Sequence, residues 1–245
     1  MIKNIHFIWW QGWDELPKKY KKHINNWNKY NSEYKIYYWD ETKIHKLLKE
    51  KSINLDLLNS FDLMIQKIDF SKYIILYYYG GFYVDVDINC NNSLDKFIKK
   101  DKITVCKIKP FNNINYELMN NGFIYCPKND KVMKKIIDQC LKHNSYSVGH
   151  YILSDIQTLL VTGPLMMSYV LSNEDVNILD ENIIYECNLE EYKKCYNKGL
   201  LGTHLHDLSW MNGYFKNLIE FFIFLKNNFI YLVIIILIIV IYKLN

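Results

Sequence analysis

The 245-residue chain contains no arginine, so all 30 of its basic side chains are lysines. Nucleic-acid surfaces gather basic residues on one face and draw heavily on arginine. Here the lysines are scattered and the formal net charge is only +4, so a nucleic-acid partner is excluded. Cysteines occur at 90, 106, 126, 140, 187 and 195, and no two form a C-x-x-C pair. That spacing excludes a zinc ribbon and a thioredoxin-like site, and free thiols in a reducing compartment are the expectation. No export signal is expected at the start of the sequence, because Gln11, Gly12 and Asp14 interrupt the apolar Ile5–Trp10 run before it reaches the length of a signal core. No repeat or low-complexity linker divides the interior. Disorder is excluded too, since half of the residues are hydrophobic and 21 are tyrosine. The length suits one domain of ordinary size.

One stretch stands apart. From Phe229 to Tyr242 every residue is Phe, Tyr, Leu, Val or Ile. Read as a helix from Asn227 to Leu244, this segment is about 27 Å long, close to a thin hydrocarbon core. It has no polar face, which a peripheral helix of a soluble domain would show. The expectation is a membrane-bound protein with a single-pass C-terminal anchor at 227–244, an amphipathic juxtamembrane segment at 217–226 and a cytosolic catalytic domain at 1–216. Lys226 and Lys243 flank the apolar run on both sides, so the positive-inside rule does not orient it.

Over 1–216, strand-like and helix-like stretches alternate, the pattern of an α/β layer architecture. Ile5–Trp10 and Tyr34–Trp39 read as strands, and Lys18–Tyr30 and Thr42–Lys51 as helices. Asp69–Tyr79 reads as a helix buried on most sides and stopped by Gly80-Gly81. Phe82–Val86 follows as a short buried strand. Asp85 and Asp87 then lie at its carboxyl end, where open α/β sheets place their ligand crevice.

A lone D-x-D carries little information, and on a continuing strand its two side chains would point to opposite faces. Both serve one ligand only where the strand ends and the chain turns. One carboxylate can then hold a divalent ion while the other meets a ribose hydroxyl or a metal-bound water. Mg²⁺ or Mn²⁺ bound in this way keeps positions open for phosphate oxygens. Its charge offsets that of a diphosphate leaving group.

The stretch Asp69-Phe-Ser-Lys-Tyr-Ile-Ile-Leu-Tyr-Tyr-Tyr-Gly-Gly-Phe-Tyr-Val-Asp-Val-Asp87 resembles the core signature of glycosyltransferase family 32, S-D-x-x-R-Y-x-x-L-Y-x-Y-G-G-x-Y-x-D-x-D. Other blocks agree in order. They are Ile5-His6-Phe7-Ile8-Trp9, Trp27 with Tyr34-Lys35-Ile36 and Trp39-Asp40, Asn121-Gly122-Phe123-Ile124, Thr162-Gly163-Pro164 and His204-Leu-His-Asp-Leu-Ser209-Trp210. The resemblance runs over about residues 2 to 212. It departs from the pattern at Lys72, where the family has arginine, and at Ile68, where it has serine.

The resemblance implies a GT-A-like fold with a mostly parallel central sheet and a metal-dependent, retaining hexosyl transfer. The donor would be a UDP- or GDP-hexose and the acceptor a glycan, glycolipid or glycoprotein. Asp69, Lys72, Asp85 and Asp87 are the implied catalytic residues. Trp9 would stack on the base, Asp69 would bind the donor sugar, and Lys72 would lie near the phosphates or that same sugar. Asp85 would touch ribose and metal, Asn121 the sugar, and Ser209 and Trp210 the diphosphate. Asp87 is the implied principal metal ligand, and His204 and His206 compete for a further position, with the family spacing favouring His204.

Two other readings start from the same residues. Lys72 in the place of arginine motivates a catalytically dead, membrane-tethered sugar-nucleotide-binding protein. Val84-Asp85-Val86-Asp87 is also similar to the first motif of haloacid-dehalogenase phosphatases. That motif normally opens its domain and carries Thr or Val where this chain has Asn89.

Overall fold

Alternation of apolar side chains across short strands builds a sheet with a core on each face. The computed structural model describes residues 1–98, 101–108, 118–144, 154–187 and 198–207, and beyond these 213, 216, 217, 220, 221, 224 and 225. The strands are β1 (Asn4–Ile8), β2 (Lys35–Trp39), β3 (Gly81–Val84), β4 (Ile88–Cys90), β5 (Thr104–Ile108), β6 (Leu118–Cys126), β7 (Asn177–Leu179) and β8 (Gly202–His204). Six of them form one sheet in the order β2-β1-β3-β6-β5-β7, and β4 pairs with β8 in a small second sheet. The pairs β1–β2, β1–β3 and β5–β7 are parallel, while β6 runs antiparallel to both β3 and β5. The central sheet is therefore mostly parallel, with β6 reversed.

On β3, Phe82 and Val84 face one core and Tyr83 faces the other. On β6, Phe123 and Tyr125 oppose Ile124 and Cys126 in the same way. Helix α1 (Lys18–Tyr30) supplies Tyr20, Ile24 and Trp27 to the first core. The second core is closed by α2 (Glu41–Glu50), α3 (Leu55–Asn59), α4 (Met64–Tyr79), α5 (Lys131–Asn144) and α7 (Pro164–Leu171), with α6 (Ser154–Val161) contributing Val161.

Element ends differ from the sequence expectation by a few residues. Helix α4 begins at Met64 rather than Asp69, and Gln66 closes its first turn by accepting from the Leu63 backbone N–H. Its far end is capped by Gly80, at φ 64°, whose N–H reaches the Leu76 carbonyl at 2.8 Å; Gly81 follows at φ 99°. Two successive positive φ values reverse the chain into β3, a conformation that other residues rarely adopt. β3 ends at Val84, two residues earlier than expected, because Asp85 already belongs to a turn in which the Ile88 N–H bonds the Asp85 carbonyl at 3.0 Å.

The thiols need one correction. Cys90, Cys106, Cys126 and Cys140 are free and buried, but Cys187 is disulfide-bonded, its partner lying outside the described residues. Free thiols throughout therefore do not hold.

The chain divides into two compact units, Met1–Asp207 and Leu208–Asn245. In the second, residues 217, 220, 221, 224 and 225 of the expected juxtamembrane segment are helical, with Phe221 and Phe224 exposed. The expected anchor at 227–244 lies outside the described residues. Among those described, no helix is long and apolar enough to cross a membrane.

Candidate metal and donor site

The turn that starts at Asp85 takes Asp87 out of strand alternation. The Asp85 N–H still completes the ladder to the Gly122 carbonyl at 2.8 Å. Helix α1 then pins the next residues from outside: His23 Nδ1 lies 3.1 Å from the Val86 carbonyl, and Trp27 Nε1 donates to the Ile88 carbonyl at 2.8 Å. β4 pairs with β8 in a register that sets Ile88 opposite His204. This ladder carries a histidine from late in the chain to the Asp turn.

Ligating atoms of Asp85, Asp87 and His204 all lie within 4.8 Å of one another. His204 Nε2 is 3.4 Å from Asp87 Oδ1, and the backbone N–H groups of Asp207 and Leu205 bond Asp87 Oδ2 and the Asp87 carbonyl at 3.2 and 3.1 Å. Burial would raise the Asp87 carboxyl, but the facing His204 charge and these hydrogen bonds outweigh it and hold the group below its ordinary range. His204 is raised in turn, since the Asp87 charge overcomes the opposing effect of burial. Two carboxylates and one imidazole form an oxygen-rich donor set of the kind that suits Mn²⁺, and Mg²⁺ with fewer protein ligands.

His206 does not join that group. Its Nδ1 faces His204 Nδ1 at 2.9 Å, and its Nε2 lies 2.8 Å from the Cys187 carbonyl. Burial and the neighbouring His204 charge lower it to about 3.

Behind the Asp turn, one face of α4 supplies a buried ion pair. Lys72 Nζ sits 2.8 Å from Asp69 Oδ1 and 3.7 Å from Asp85 Oδ1, over the Tyr83 ring at 4.5 Å. Burial alone would lower the Lys72 ammonium, but the charges of Asp69 and Asp85 hold it above its ordinary value. Asp69 also accepts from Asn121 Nδ2 and Thr162 Oγ1, each at 3.1 Å. Asn121 reaches Tyr73 Oη as well, and its carbonyl accepts from Lys72. Asp69, Lys72, Asp85 and Asn121 thus form one connected polar cluster. Trp9 is half-buried outside this cluster, with its ring 5.5 Å from Tyr20 and its Nε1 buried without a hydrogen-bond partner. Ser209 and Trp210 lie outside the described residues.

The sequence reading passed over several residues that shape the site. Tyr83 Oη donates to Asp85 Oδ1 at 2.7 Å; a spacing of two along the strand direction places both side chains on one side, so this partner was readable. Asn120 Oδ1 accepts from the Gly122 N–H at 2.7 Å and from Tyr185 Oη at 3.0 Å. The Tyr185 ring in turn lies 5.1 Å from that of His204. Nothing in the local sequence marks Tyr185, because its role depends on a fold contact with residues far along the chain.

Comparison with known proteins bears on what this arrangement serves. The family described as glycosyltransferase sugar-binding region containing DXD motif matches residues 17–104. A mimivirus protein named only as an uncharacterized glycosyltransferase, from Acanthamoeba polyphaga mimivirus, is 30% identical over 202 residues, covering 80% of this chain and 77% of its own length. Inositol phosphoceramide mannosyltransferase 1 of Schizosaccharomyces pombe is 27% identical over 67% of this chain and 49% of its own. The initiation-specific α-1,6-mannosyltransferase of Candida albicans is 31% identical over 43% and 29%. The chain therefore spans about half or less of the length of these two fungal relatives. Among solved structures, the PaToxG glycosyltransferase superposes with a TM-score of 0.51 at 18% identity, over 71% of this chain and 70% of that one. This last likeness speaks to the fold alone.

Proposed function

Because this chain belongs to the glycosyltransferases with a DXD-containing sugar-binding region, we propose that it is a retaining hexosyltransferase that holds a nucleotide sugar and a divalent cation at Asp85, Asp87 and His204. The observation that carries this reading is the convergence of those three side chains within 4.8 Å. A Mn²⁺ or Mg²⁺ ion in that position would offset the charge of the departing diphosphate. The residues around it divide the remaining work. Asp69, fixed by Lys72, Asn121 and Thr162, binds hydroxyls of the donor sugar. Lys72 supplies the positive charge that arginine gives elsewhere in the family, as a point charge without the bidentate fork. Trp9 offers an aromatic face to the base.

Of the three aspartates at the site, none is a free nucleophile, since Asp69 is buried in its ion pair and Asp85 and Asp87 face the proposed cation position. The favoured course is internal return, in which the leaving phosphate accepts the proton of the acceptor hydroxyl on the face it vacates. The relatives named as mannosyltransferases make nucleotide-activated mannose the first donor to test. The inositol phosphoceramide acceptor in one of those names, with the apolar run at 229–242, favours a lipid-linked or other membrane-borne acceptor. Family membership leaves the phosphatase reading of Asp85 without support.

Donor hydrolysis tests the proposal. A panel of sugar nucleotides with Mn²⁺ should yield slow, specific release of nucleoside diphosphate, and Asp87→Asn should abolish it while leaving the circular dichroism spectrum unchanged. Full hydrolysis by Asp87→Asn would sink the assignment. No hydrolysis of any sugar nucleotide, with donor binding retained, would favour the catalytically dead reading.

A further inference from the structure

We propose, resting on the reading of Asp85, Asp87 and His204 as the cation site, that His206 is a positioning residue: it fixes which nitrogen of His204 faces the cation, through a relay that ends on the Cys187 main-chain carbonyl. The chemistry of the partners sets the direction of every bond. A carbonyl oxygen only accepts, so His206 Nε2, 2.8 Å from the Cys187 oxygen, carries a hydrogen and donates it. Among the described residues no carboxylate forms an ion pair with the buried His206 ring, so the ring carries a single hydrogen and its other nitrogen presents a lone pair. That lone pair faces His204 Nδ1 at 2.9 Å, and two lone pairs do not meet at that distance, so His204 Nδ1 carries the hydrogen. The lone pair of a neutral His204 is thereby left on Nε2, the nitrogen that lies 3.4 Å from Asp87 Oδ1 on the side of the carboxylates. Outer hydrogen bonds of this kind select the tautomer and the ring orientation of ligating histidines.

Two further features fit a part built for this purpose. His206 adopts φ 49°, a left-handed conformation that few residues other than glycine take and that is held only where the surrounding structure fixes it. Its ring stands at 90° to that of His204 with centroids 4.2 Å apart, and Tyr185 packs against both. Both histidines are buried, so water does not substitute freely for the relay. The same geometry separates the two histidines of the H-x-H block: His204 serves as ligand and His206 as its orienter.

The test uses the full chain with Mn²⁺ alone as probe, following free Mn²⁺ by electron paramagnetic resonance. Wild type should bind, Asp87→Asn should not, and His206→Phe should bind roughly 10- to 100-fold more weakly, since it keeps the ring's bulk and removes both nitrogens. His206→Asn, which accepts a left-handed backbone more readily and retains an acceptor oxygen, should recover part of that loss. Long-range proton–nitrogen spectra of the Mg²⁺-loaded, histidine-labelled wild type should show His204 as the Nδ1–H tautomer. If His206→Phe fails to fold, this spectrum decides by itself. Unchanged Mn²⁺ affinity in a folded His206→Phe, or an Nε2–H tautomer at His204, would overturn the relay while leaving the cation site standing. Absence of Mn²⁺ binding by the wild type would instead overturn the cation site and the relay together.

Discussion

At Gly122 an added methyl group would sit 2.5 Å from Asp85 Oδ2, 3.0 Å from Asn120 Oδ1 and 3.1 Å from Tyr185 Oη. All three are ends of side chains, so the fold has room to yield, but the atom that yields most is a proposed ligand oxygen. Gly122→Ala should therefore lower metal-stimulated donor hydrolysis by roughly 10- to 100-fold, the cost of misplacing a catalytic group by about 1 Å. Its melting temperature should hardly move; a large drop in melting temperature with activity per folded molecule intact would contradict this account. Lys72 poses the opposite case. Its ammonium is the only cation bonded to buried Asp69 among the described residues, and removing it leaves a buried carboxylate without its counter-charge. Lys72→Met should destabilise the protein by roughly 3–5 kcal/mol in chemical denaturation, the usual penalty for breaking a buried pair. A loss below about 1 kcal/mol would mean that Asp69 is neutral in the folded state. At this scale the Asp pair, Lys72 and His204 were legible because they sit in contiguous motif blocks. Tyr185 and Asn120 were not, because what selects them is a contact made only after folding.

Helix α4, the Gly80 cap and strands β1 and β2 are tied together by one buried histidine. His6 Nε2 lies 2.9 Å from the Gly80 carbonyl, and Trp39 Nε1 donates to its Nδ1 at 3.1 Å. The carbonyl requires a hydrogen on Nε2 and the indole a lone pair on Nδ1, so the ring is held neutral and in one tautomer. Burial lowers it to about 4, against an ordinary value of 6.5. Between those two values the unfolded chain binds a proton that the folded chain refuses. The contribution of His6 is thus fully present above pH 6.5 and is lost as pH falls towards 4, by on the order of 3 kcal/mol. His6→Gln should flatten the fall in stability over this window. His23 and His206 are lowered too and add slope of the same sign, so the comparison of wild type with variant, rather than the wild-type curve alone, isolates His6. An unchanged slope would show that the ring is not neutral in the fold. The elements themselves were largely legible: α1 matches its expected span, and the glycine pair marks the end of α4, because local periodicity and positive φ leave local traces. The reversal of β6 and the β4–β8 pairing left none, since strand partners far apart in sequence are chosen by topology rather than by local pattern. The strand was read two residues too long at Val86 because Asp-Val-Asp continues an apolar alternation that the turn at Asp85 breaks.

Across the whole molecule, the proposed cation site exists only when the fold does. Asp85 and Asp87 follow a central strand, whereas His204 ends β8, so the unfolded chain holds no comparable set of donors. A ligand bound by the folded state alone stabilises it by mass action, by about 2.7 kcal/mol at a concentration 100 times its dissociation constant. For chains of 150–250 residues each kcal/mol moves the melting temperature by about 2–4 °C. Saturating Mn²⁺ should accordingly raise the melting temperature by roughly 5–10 °C in a calorimetric scan, and excess chelator should reverse the rise. The increment should be absent in Asp87→Asn, which lacks the carboxylate that His204 and two backbone N–H groups hold in place. Gly122→Ala should retain part of it, because its Asp85 is displaced rather than removed. The variants also divide specific from adventitious stabilisation. Mn²⁺ bound to scattered surface carboxylates would raise wild type and Asp87→Asn equally, and that outcome would remove the site from the account of how this fold handles a nucleotide sugar.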